Sequence, residues 1–387
     1  MSKIPYFFGR RTAAAVATAA ARITTAAAIA AKAARLTTAV TVTTAVIAAL
    51  LVFVPQPLSA AGVQEAEFPA VEERRDETDE LLIYSYDSLP GSLEDLTVEY
   101  FESEYGVTVT FDRVGDAGAV YTQAYLERDN PQADILLGLD SSDVPRAIDD
   151  NLLEPYEPDE LQVVDEDLIL DDTFHAVPYD WGYIVLNVDT EQVDSVPGSW
   201  DDLLSDEYRD SIIMLNPGTS SPGRNFLLFT IAEFGPDGYL DYWRELEPNI
   251  LTVTGGWSEG YGLYTEGEAP LVVSYELSPA FHREFEDTDR YEAVLFDGGG
   301  YRQVEFAGIT RGARNRLNAE RFIDFMVGEA FQEEIPLSQF MYPIHPDVEL
   351  PESFGEIERI TRPVMLDPRD VADNFEEWFA EWEEVMR

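Results

Sequence analysis

Residues 81–139 read LLIYSYDSLPGSLEDLTVEYFESEYGVTVTFDRVGDAGAVYTQAYLERDNPQADILLGL, and this stretch decides the fold. Its apolar segments have the length and composition of buried strands, and the segments between them have helical periodicity. The predicted strands span 81–86, 107–112 and 133–139, and the predicted helices span 93–105 and 117–127. Because strands that alternate with helices form a mainly parallel sheet covered on both faces, the sequence predicts an α/β protein.

Three loops of this unit are expected to meet at one edge of the sheet. Residues 86–88 and 139–142 follow strands, and residues 115–118 precede a helix. The carboxyl ends of strands and the amino ends of helices are common ligand sites, and helix amino ends favour anionic groups such as phosphate. The sequence therefore places a candidate ligand site at this edge.

A second α/β unit follows residues 180–186. Its strand is predicted at 212–214 and its helix at 225–234, with the loop 216–223 between them. This loop contains two glycines, two prolines and three hydroxyl residues, which is richer than a helix cap requires. A ligand-binding loop is favoured, with an ordinary cap as the alternative. The remaining predicted elements are a strand at 303–310, a helix at 318–327 and a C-terminal helix from residue 367 whose aromatic stripe packs in a core.

The stretch 252–280, TVTGGWSEGYGLYTEGEAPLVVSYELSPA, concentrates aromatic side chains. Trp257, Tyr261 and Tyr264 share one face of a predicted short helix. The strand predicted at 271–275 ends at Tyr275, and the loop after such a strand end is a usual ligand site in α/β sheets. Two interpretations are open at this point, an aromatic stripe packed in a core and a site for a flat ligand.

The charge of the chain is extreme. It contains 25 Lys and Arg against 75 Asp and Glu, and no lysine follows Lys32. With 45% hydrophobic residues it still has ample material for cores, and its 387 residues predict two or three domains. This composition is typical of a globular protein that stays soluble in concentrated salt. It argues against nucleic-acid binding, since no basic face would neutralise phosphates.

The residue types also restrict the chemistry. Cysteine is absent, which excludes disulfides, thiolate nucleophiles, Cys-ligated zinc and a lipidated N-terminal cysteine. The three histidines, His175, His282 and His345, are too scattered for a His-rich metal site. The many carboxylates could serve metal or acid–base chemistry, but pairs of acids carry little information in so acidic a chain. We therefore predict no metal, no cofactor and no catalytic residues.

Residues 1–62 are predicted to be a signal peptide or an N-terminal membrane anchor. They contain no Asp or Glu, residues 37–54 form an uncharged run long enough to span a bilayer, and residues 58–61 resemble a cleavage site. Arg10-Arg11 resembles part of a twin-arginine export signal. Residues 63–80 read as an acidic spacer before the folded part. The acidic remainder is expected outside the cell, either secreted or tethered by the N-terminal segment.

Five motifs give the chain a resemblance to a known family. They are YSYDS at 84–88, ADILLGLD at 133–140, VPYDWGY at 177–183, GGWSEGYGL at 255–263 and MYP at 341–343. In this order and spacing, from residue 81 to the C-terminus, they resemble the periplasmic thiamine-binding proteins of bacterial ABC transporters. Within them, Gly-Leu-Asp and Trp-Ser-Glu distinguish this family from the related iron and polyamine binders.

The resemblance implies an α/β, two-lobed type II periplasmic-binding-protein fold with the ligand cleft between the lobes. The lobes would comprise 81–180 with about 311–345, and 181–310 with 346–387 packing back. Crossing strands near 182–188 and 303–310 would join the lobes and let them close on a ligand like a hinge. Such a protein is expected to be a monomer that delivers thiamine to the permease and ATPase subunits of an ABC importer.

The resemblance also implies which residues contact the ligand. The family's thiamine contacts fall at Asp116, Ala117, Gly118, Ser220, Ser221, Trp257, Tyr275, Ser278 and Pro279. Tyr86, Phe281 and Phe340 would line the same cleft, and Asp87, Asp140 and Asp180 are further candidates. Thiamine combines a cationic thiazolium with a flat aminopyrimidine, which call for aromatic faces and carboxylates. Hydroxyl groups at a helix start suit its hydroxyethyl group or phosphate esters.

Three departures from the family pattern bear on the ligand. Phe281 and Phe340 stand where the family often has Tyr and Trp, Glu276-Leu277 replaces a pair of small hydroxyl residues, and the loop 115–118 aligns only after a one-residue shift. They leave open whether free thiamine or a phosphorylated form binds. A polyamine or another small organic cation is the main alternative, and iron is a weaker one. Thiamine-degrading enzymes of this fold use a cysteine nucleophile, which this chain lacks.

Overall fold

The structure, a computed structural model, describes residues 78–387. The predicted export segment and most of the acidic spacer lie outside these residues. Within the described part, no helix is both long and apolar enough to cross a membrane.

Strands and helices alternate along the described residues. The first elements are β1 (Glu80–Ser85), α1 (Gly91–Tyr105), β2 (Thr108–Arg113), α2 (Ala117–Leu126), β3 (Ile135–Asp140), α3 (Asp143–Asp149), β4 (Leu153–Glu154), β5 (Val177–Asp189), β6 (Ile212–Leu215), α4 (Ser221–Phe234) and α5 (Tyr239–Leu246). They are followed by β7 (Ile250–Thr254), α6 (Trp257–Thr265), β8 (Leu271–Tyr275), α7 (Ser278–Glu286), β9 (Tyr291–Val294), β10 (Gly299–Thr310), α8 (Arg316–Val327), α9 (Glu329–Gln332), α10 (Ile335–Ser338), β11 (Tyr342–Pro343), β12 (Arg362–Val364) and α11 (Pro368–Val385).

The strands form one mixed sheet whose main order is β2-β1-β3-β10-β5-β8-β6-β7. β1 runs parallel to β2 and β3, and β6 runs parallel to β7 and β8, as the alternation of strands and helices predicts. The long strands β5 and β10 run antiparallel to each other. β5 is also antiparallel to β8, and β10 is also antiparallel to β3. The structure thus differs from a parallel sheet at its centre, where two strands distant in sequence pair.

A close approach between β3 and the loop after β1 shapes the edge of the sheet. β3 is an apolar strand buried along its whole length, as expected for a strand covered on both faces. Gly138 within it has a φ of 102°, and a Cβ there would lie 2.3 Å from Cδ1 of Tyr86. The missing side chain and the positive φ therefore let the Tyr86 ring lie directly against the strand.

Two large hydrophobic cores flank the crossing strands. Members of the first core include Phe101, Ile135 and Phe322. Members of the second core include Phe229, Trp243 and, from α11, Phe375 and Trp382. β5 and β10 contribute to both cores, with Tyr179 and Phe306 in the first and Ile184 and Tyr301 in the second. These strands therefore connect two lobes, while the lobe boundaries given above stay predictions.

Candidate functional site

Within the described residues, a cavity of about 350 Å³ lies where the ends of several strands meet the first turns of several helices. This volume is at the small end of the range for small-molecule sites. Nine of the fifteen candidate ligand residues line it. They are the aromatic side chains of Tyr86, Trp257, Tyr275, Phe281 and Phe340, together with Asp116, Ala117, Ser221 and Ser278.

Trp257 begins α6 and is held in place by two hydrogen bonds. Its backbone N–H donates to Oδ2 of Asp116 (2.8 Å), and its indole N–H donates to Oγ of Ser274 (2.9 Å). Asp116 in turn caps α2, since its Oδ1 accepts a hydrogen bond from the backbone N–H of Ala117 (2.7 Å). With the indole nitrogen occupied, Trp257 presents its ring face rather than a donor to the cavity.

Tyr261 and Tyr264 follow Trp257 on the same helix and differ in role. Tyr264 is fully buried and packs in a small core, so the packing interpretation of the aromatic stripe holds for it. Tyr261 stacks on Trp257, with ring centroids 4.8 Å apart, and also lines the cavity. Its hydroxyl pairs with Nε2 of His282 at 2.9 Å. Tyr261 therefore covers one face of the Trp257 ring.

Phe340 lines the cavity in a strained backbone conformation. Its φ is 54°, in the left-handed region that bulky side chains rarely adopt. Aromatic neighbours surround its ring, with the centroid of Phe281 at 5.5 Å and that of Phe354 at 6.3 Å. Such strain of about 1–2 kcal/mol persists only where packing over-determines the position, which is common at ligand sites.

The other six candidates do not line the cavity. Ser220, the N-cap of α4, and Pro279, in the first turn of α7, are both buried. Asp87 is exposed and accepts a hydrogen bond of 3.4 Å from the Ser258 hydroxyl. The remaining three candidates, Gly118, Asp140 and Asp180, are buried.

Asp140 and Gly118 have structural surroundings. Oδ1 of Asp140 accepts hydrogen bonds from the backbone N–H groups of Ser142 (2.8 Å) and Asp143 (3.1 Å) at the start of α3. Nη1 of Arg224, from α4, lies 3.6 Å from this oxygen. Gly118 is pressed against the neighbouring loop, because a Cβ there would lie 2.8 Å from the carbonyl oxygen of Thr219. Asp140 therefore holds the start of α3, and Gly118 lets the first turn of α2 contact the loop before α4.

Asp180 is fully buried in β5 and belongs to a polar network beneath the cavity. Its Oδ2 accepts a hydrogen bond of 3.3 Å from Nε2 of Gln339, which also donates one of 2.5 Å to the hydroxyl of Tyr86. That hydroxyl pairs with the hydroxyl of Tyr179 at 3.0 Å. Burial, and then the charge of Glu305, raise the pKa of Asp180 well above its usual value.

Glu305 is the most deeply connected of the cavity residues that the sequence interpretation missed, which also include His282, Glu286 and Gln339. Its Oε2 accepts a hydrogen bond from the hydroxyl of Tyr179 (2.5 Å), and its Oε1 accepts from the hydroxyl of Tyr275 (3.2 Å) and Nε2 of Gln303 (2.8 Å). Burial raises the pKa of Glu305, and the tyrosine hydrogen bonds act in the opposite direction. Polar residues at alternate positions, Gln303 and Glu305, in an otherwise apolar predicted strand were the available signal.

The cavity combines acidic side chains with apolar, mainly aromatic ones. Asp116, Glu305 and Glu286 line it, and none of the described residues that do so is Lys or Arg. Burial raises the pKa of Asp116, while the backbone N–H groups of Ala117 and Trp257 oppose that shift. Within residues 78–387, no group of three or more His, Asp or Glu side chains is placed to hold a metal ion. The arrangement is therefore suited to a flat organic cation.

Residues 130–356 match the bacterial extracellular solute-binding protein family. The chain belongs to this family. A thiamine-binding periplasmic protein of Brucella abortus biovar 1 is 37% identical to this solute-binding protein over 311 residues, covering 79% of this chain and 91% of that protein. The protein of the same name from Escherichia coli K12 is 32% identical, with 79% and 93% covered.

The solved structures agree with the two-lobed fold of this solute-binding protein. A periplasmic thiamin binding protein superposes on it with a TM-score of 0.73 at 31% sequence identity. That comparison covers 80% of this chain and 96% of the solved one. The expected α/β fold of a periplasmic binding protein is thereby confirmed.

Proposed function

We propose that this protein is the extracellular substrate-binding component of an ABC importer and that its ligand is thiamine. The observation that carries the proposal is the cavity, which combines the ring faces of Trp257, Tyr275 and Phe340 with the carboxylates of Asp116 and Glu305. Aromatic faces bind a flat aminopyrimidine by stacking, and both aromatic faces and carboxylates attract a cationic ring. The relatives named thiamine-binding periplasmic proteins support the same ligand.

Ser221 and the amino end of α4 form the part of the cavity that suits the hydroxyethyl group of thiamine or its phosphate esters. The fifteen candidate residues named from the sequence remain the proposed ligand set in two layers. Those that line the cavity would contact the ligand, and the other six, Asp87, Gly118, Asp140, Asp180, Ser220 and Pro279, would position them. The role is binding and release, with no chemical step and no cofactor.

The proposed transport role follows from the fold. Lobes joined by β5 and β10 can close on a ligand by a hinge motion and present the closed form to a permease. We propose that the protein acts as a monomer at the outer face of the cell membrane and passes thiamine to permease and ATPase subunits. The intact mass of the protein isolated from its own cells would separate a secreted form from one tethered by residues 1–62.

The test is a titration of the purified protein in molar salt, followed by tryptophan fluorescence and by heat. Thiamine should bind saturably, and thiamine monophosphate and diphosphate measured beside it should rank the phosphorylation states. Spermidine serves as the competing cation. Clear binding of spermidine without saturable binding of thiamine or its phosphates would contradict the proposal.

A further inference from the structure

Two buried carboxylates lie side by side at the cavity, that of Glu305 in its lining and that of Asp180 outside the lining. Glu305 on β10 is opposite Asp180 on β5 in the antiparallel register. Their exposed fractions are 5% and 0%. Hydrogen bonds reach Glu305 from the neutral side chains of Tyr179, Tyr275 and Gln303, and Oδ1 of Asp180 has no partner among the described residues.

Among the other buried carboxyls of the described residues, Asp143 and Asp189 are paired with arginine, whereas Glu276 accepts a hydrogen bond from the backbone N–H of Tyr183. Asp143 accepts from Nη1 of Arg224 at 2.5 Å, and Asp189 pairs with both Nε and Nη2 of Arg290. An ionised carboxylate that leaves water without such a partner costs several kcal/mol. The Glu305 and Asp180 pair has no such partner among the described residues. A positive charge that balances it would therefore have to come from the cavity side.

Glu305 itself faces that cavity, beside the ring of Tyr275. We propose that Glu305, with Asp180 behind it, is the counter-ion of the cationic ligand, and that the ligand's charge replaces a proton shared by the two carboxyls. The inference rests on the proposed function. In the balanced step, the singly protonated pair and the cation form a complex with two ionised carboxylates, and one proton goes to the buffer.

The surroundings of the pair agree with a shared proton. Burial raises the pKa of both carboxyls, and the charge of Glu305 raises that of Asp180 further, so the empty site retains a proton to a higher pH than solvated carboxyls would. A bound cation lowers the pKa of both carboxyls again, so the proton is released. Burial also raises the pKa of Tyr179 and Tyr275, which keeps them as neutral donors. The groups that face the pair are Tyr86, Asp140, Tyr179, Tyr275, Gln303 and Gln339.

The test is calorimetric titration of the full chain with thiamine at pH 7 in molar salt, in two buffers that differ in ionisation enthalpy. The binding enthalpy of the wild type should depend on the buffer, because a proton is released. Glu305→Gln should remove that dependence and weaken thiamine binding about 10- to 100-fold, the range expected when a buried charge pair is lost. Binding of the neutral aminopyrimidine half of thiamine should change by less than about threefold.

Glu276→Gln is the matched control. Glu276 is another fully buried carboxyl, with a pKa raised to about 8 by burial, and it does not line the cavity. This variant should keep both the affinity and the buffer dependence. A buffer-independent enthalpy in the wild type would overturn the inference, and this measurement does not depend on how any variant folds. Unchanged thiamine affinity in folded Glu305→Gln would also overturn it.

The two proposals fail separately. If the wild type binds no thiamine, the proposed function is wrong, and the same two-buffer titration with spermidine then tests the counter-ion role. If thiamine binds tightly without proton release and Glu305→Gln binds equally well, the thiamine function stands and the counter-ion inference falls.

Discussion

Replacing Arg224 with methionine should destabilise the protein strongly. Arg224 on α4 is 3% exposed at its side chain, and its Nη1 donates to Oδ1 of Asp143 (2.5 Å) and Oγ of Ser142 (2.9 Å). The same nitrogen lies 3.6 Å from Asp140. One cation therefore serves two buried carboxylates, and methionine would fill the space of the side chain without its charge.

The size of the loss can be worked out from this geometry. Breaking a buried pair by removing one partner costs about 3–5 kcal/mol, because the remaining charge stays buried. Here two carboxylates would remain. Even with Arg224 present, burial raises the pKa of Asp143 to about 6. We therefore expect about 3–5 kcal/mol at pH 8, out of the 5–15 kcal/mol that typically stabilises a domain.

The sign of the pH dependence follows. A carboxyl whose pKa is higher in the folded protein than in the unfolded chain stabilises the folded state when it is protonated. Without Arg224 the pKa of Asp143 should rise further, so the deficit of Arg224→Met should shrink as the pH falls from 8 to 5. Adding Asp143→Asn should recover about 2 kcal/mol, since it removes one of the stranded charges.

The assay is chemical unfolding in molar salt at pH 5 and pH 8, followed by tryptophan fluorescence. The matched control is Arg244→Met, because Arg244 donates to Asp241 at 2.5 Å in a pair whose side chains are 56% and 80% exposed. That variant should lose less than about 1 kcal/mol. A loss of this small size in Arg224→Met, or a loss independent of pH, would refute the argument from the buried cluster.

Three further outcomes are expected. Trp257→Ala should weaken thiamine binding by roughly 1–3 kcal/mol in a calorimetric titration, whereas Trp378→Ala on α11 should leave it unchanged. If Trp257→Ala binds thiamine as tightly as the wild type does, Trp257 has only a packing role. Gly138→Ala should cost more than about 1 kcal/mol of unfolding free energy and also weaken binding, because the new methyl group displaces the Tyr86 ring; wild-type behaviour in both assays would contradict this. The unfolding free energy of the wild type should fall between pH 5 and 8, because the pKa of Glu276 is about 8 in the folded protein and lower in the unfolded chain, so a stabilising proton is lost as the pH rises. In Glu276→Gln this fall should be smaller. Equal pH slopes in the two proteins would exclude this role for Glu276.

Local sequence patterns were sufficient to predict the α/β class and the outer parts of the sheet. The apolar run that became β3 and the periodic segment that became α2 carry their signals within a few neighbouring residues. The antiparallel pairing of β5 with β10 has no such local signal. It joins Gly182 to Gln303, and only the family resemblance indicated that these strands cross between lobes.

The candidate site was predicted best where chemistry and position coincide. Trp257 and Tyr275 are aromatic residues at a helix start and a strand end, and both line the cavity. Asp140 ends β3 and Asp180 lies near the start of β5, and both are fully buried, because a strand position fixes the location of a residue without fixing the depth of its side chain. Asp140 is used to hold the start of α3 and to receive Arg224.

Glu305 could not be distinguished by residue type in a chain with 75 acidic residues. What distinguishes it is burial next to Asp180 with only neutral donors around it, which is a property of the folded protein. The same property matters in concentrated salt, where the Debye length is about 3 Å at 1 M and exposed carboxylates lose most of their attraction for a distant cation. A buried carboxylate under an aromatic cavity is screened far less. The affinity of the protein for thiamine should accordingly fall little between moderate and molar salt, and a steep fall would place the attraction on the exposed acidic surface instead.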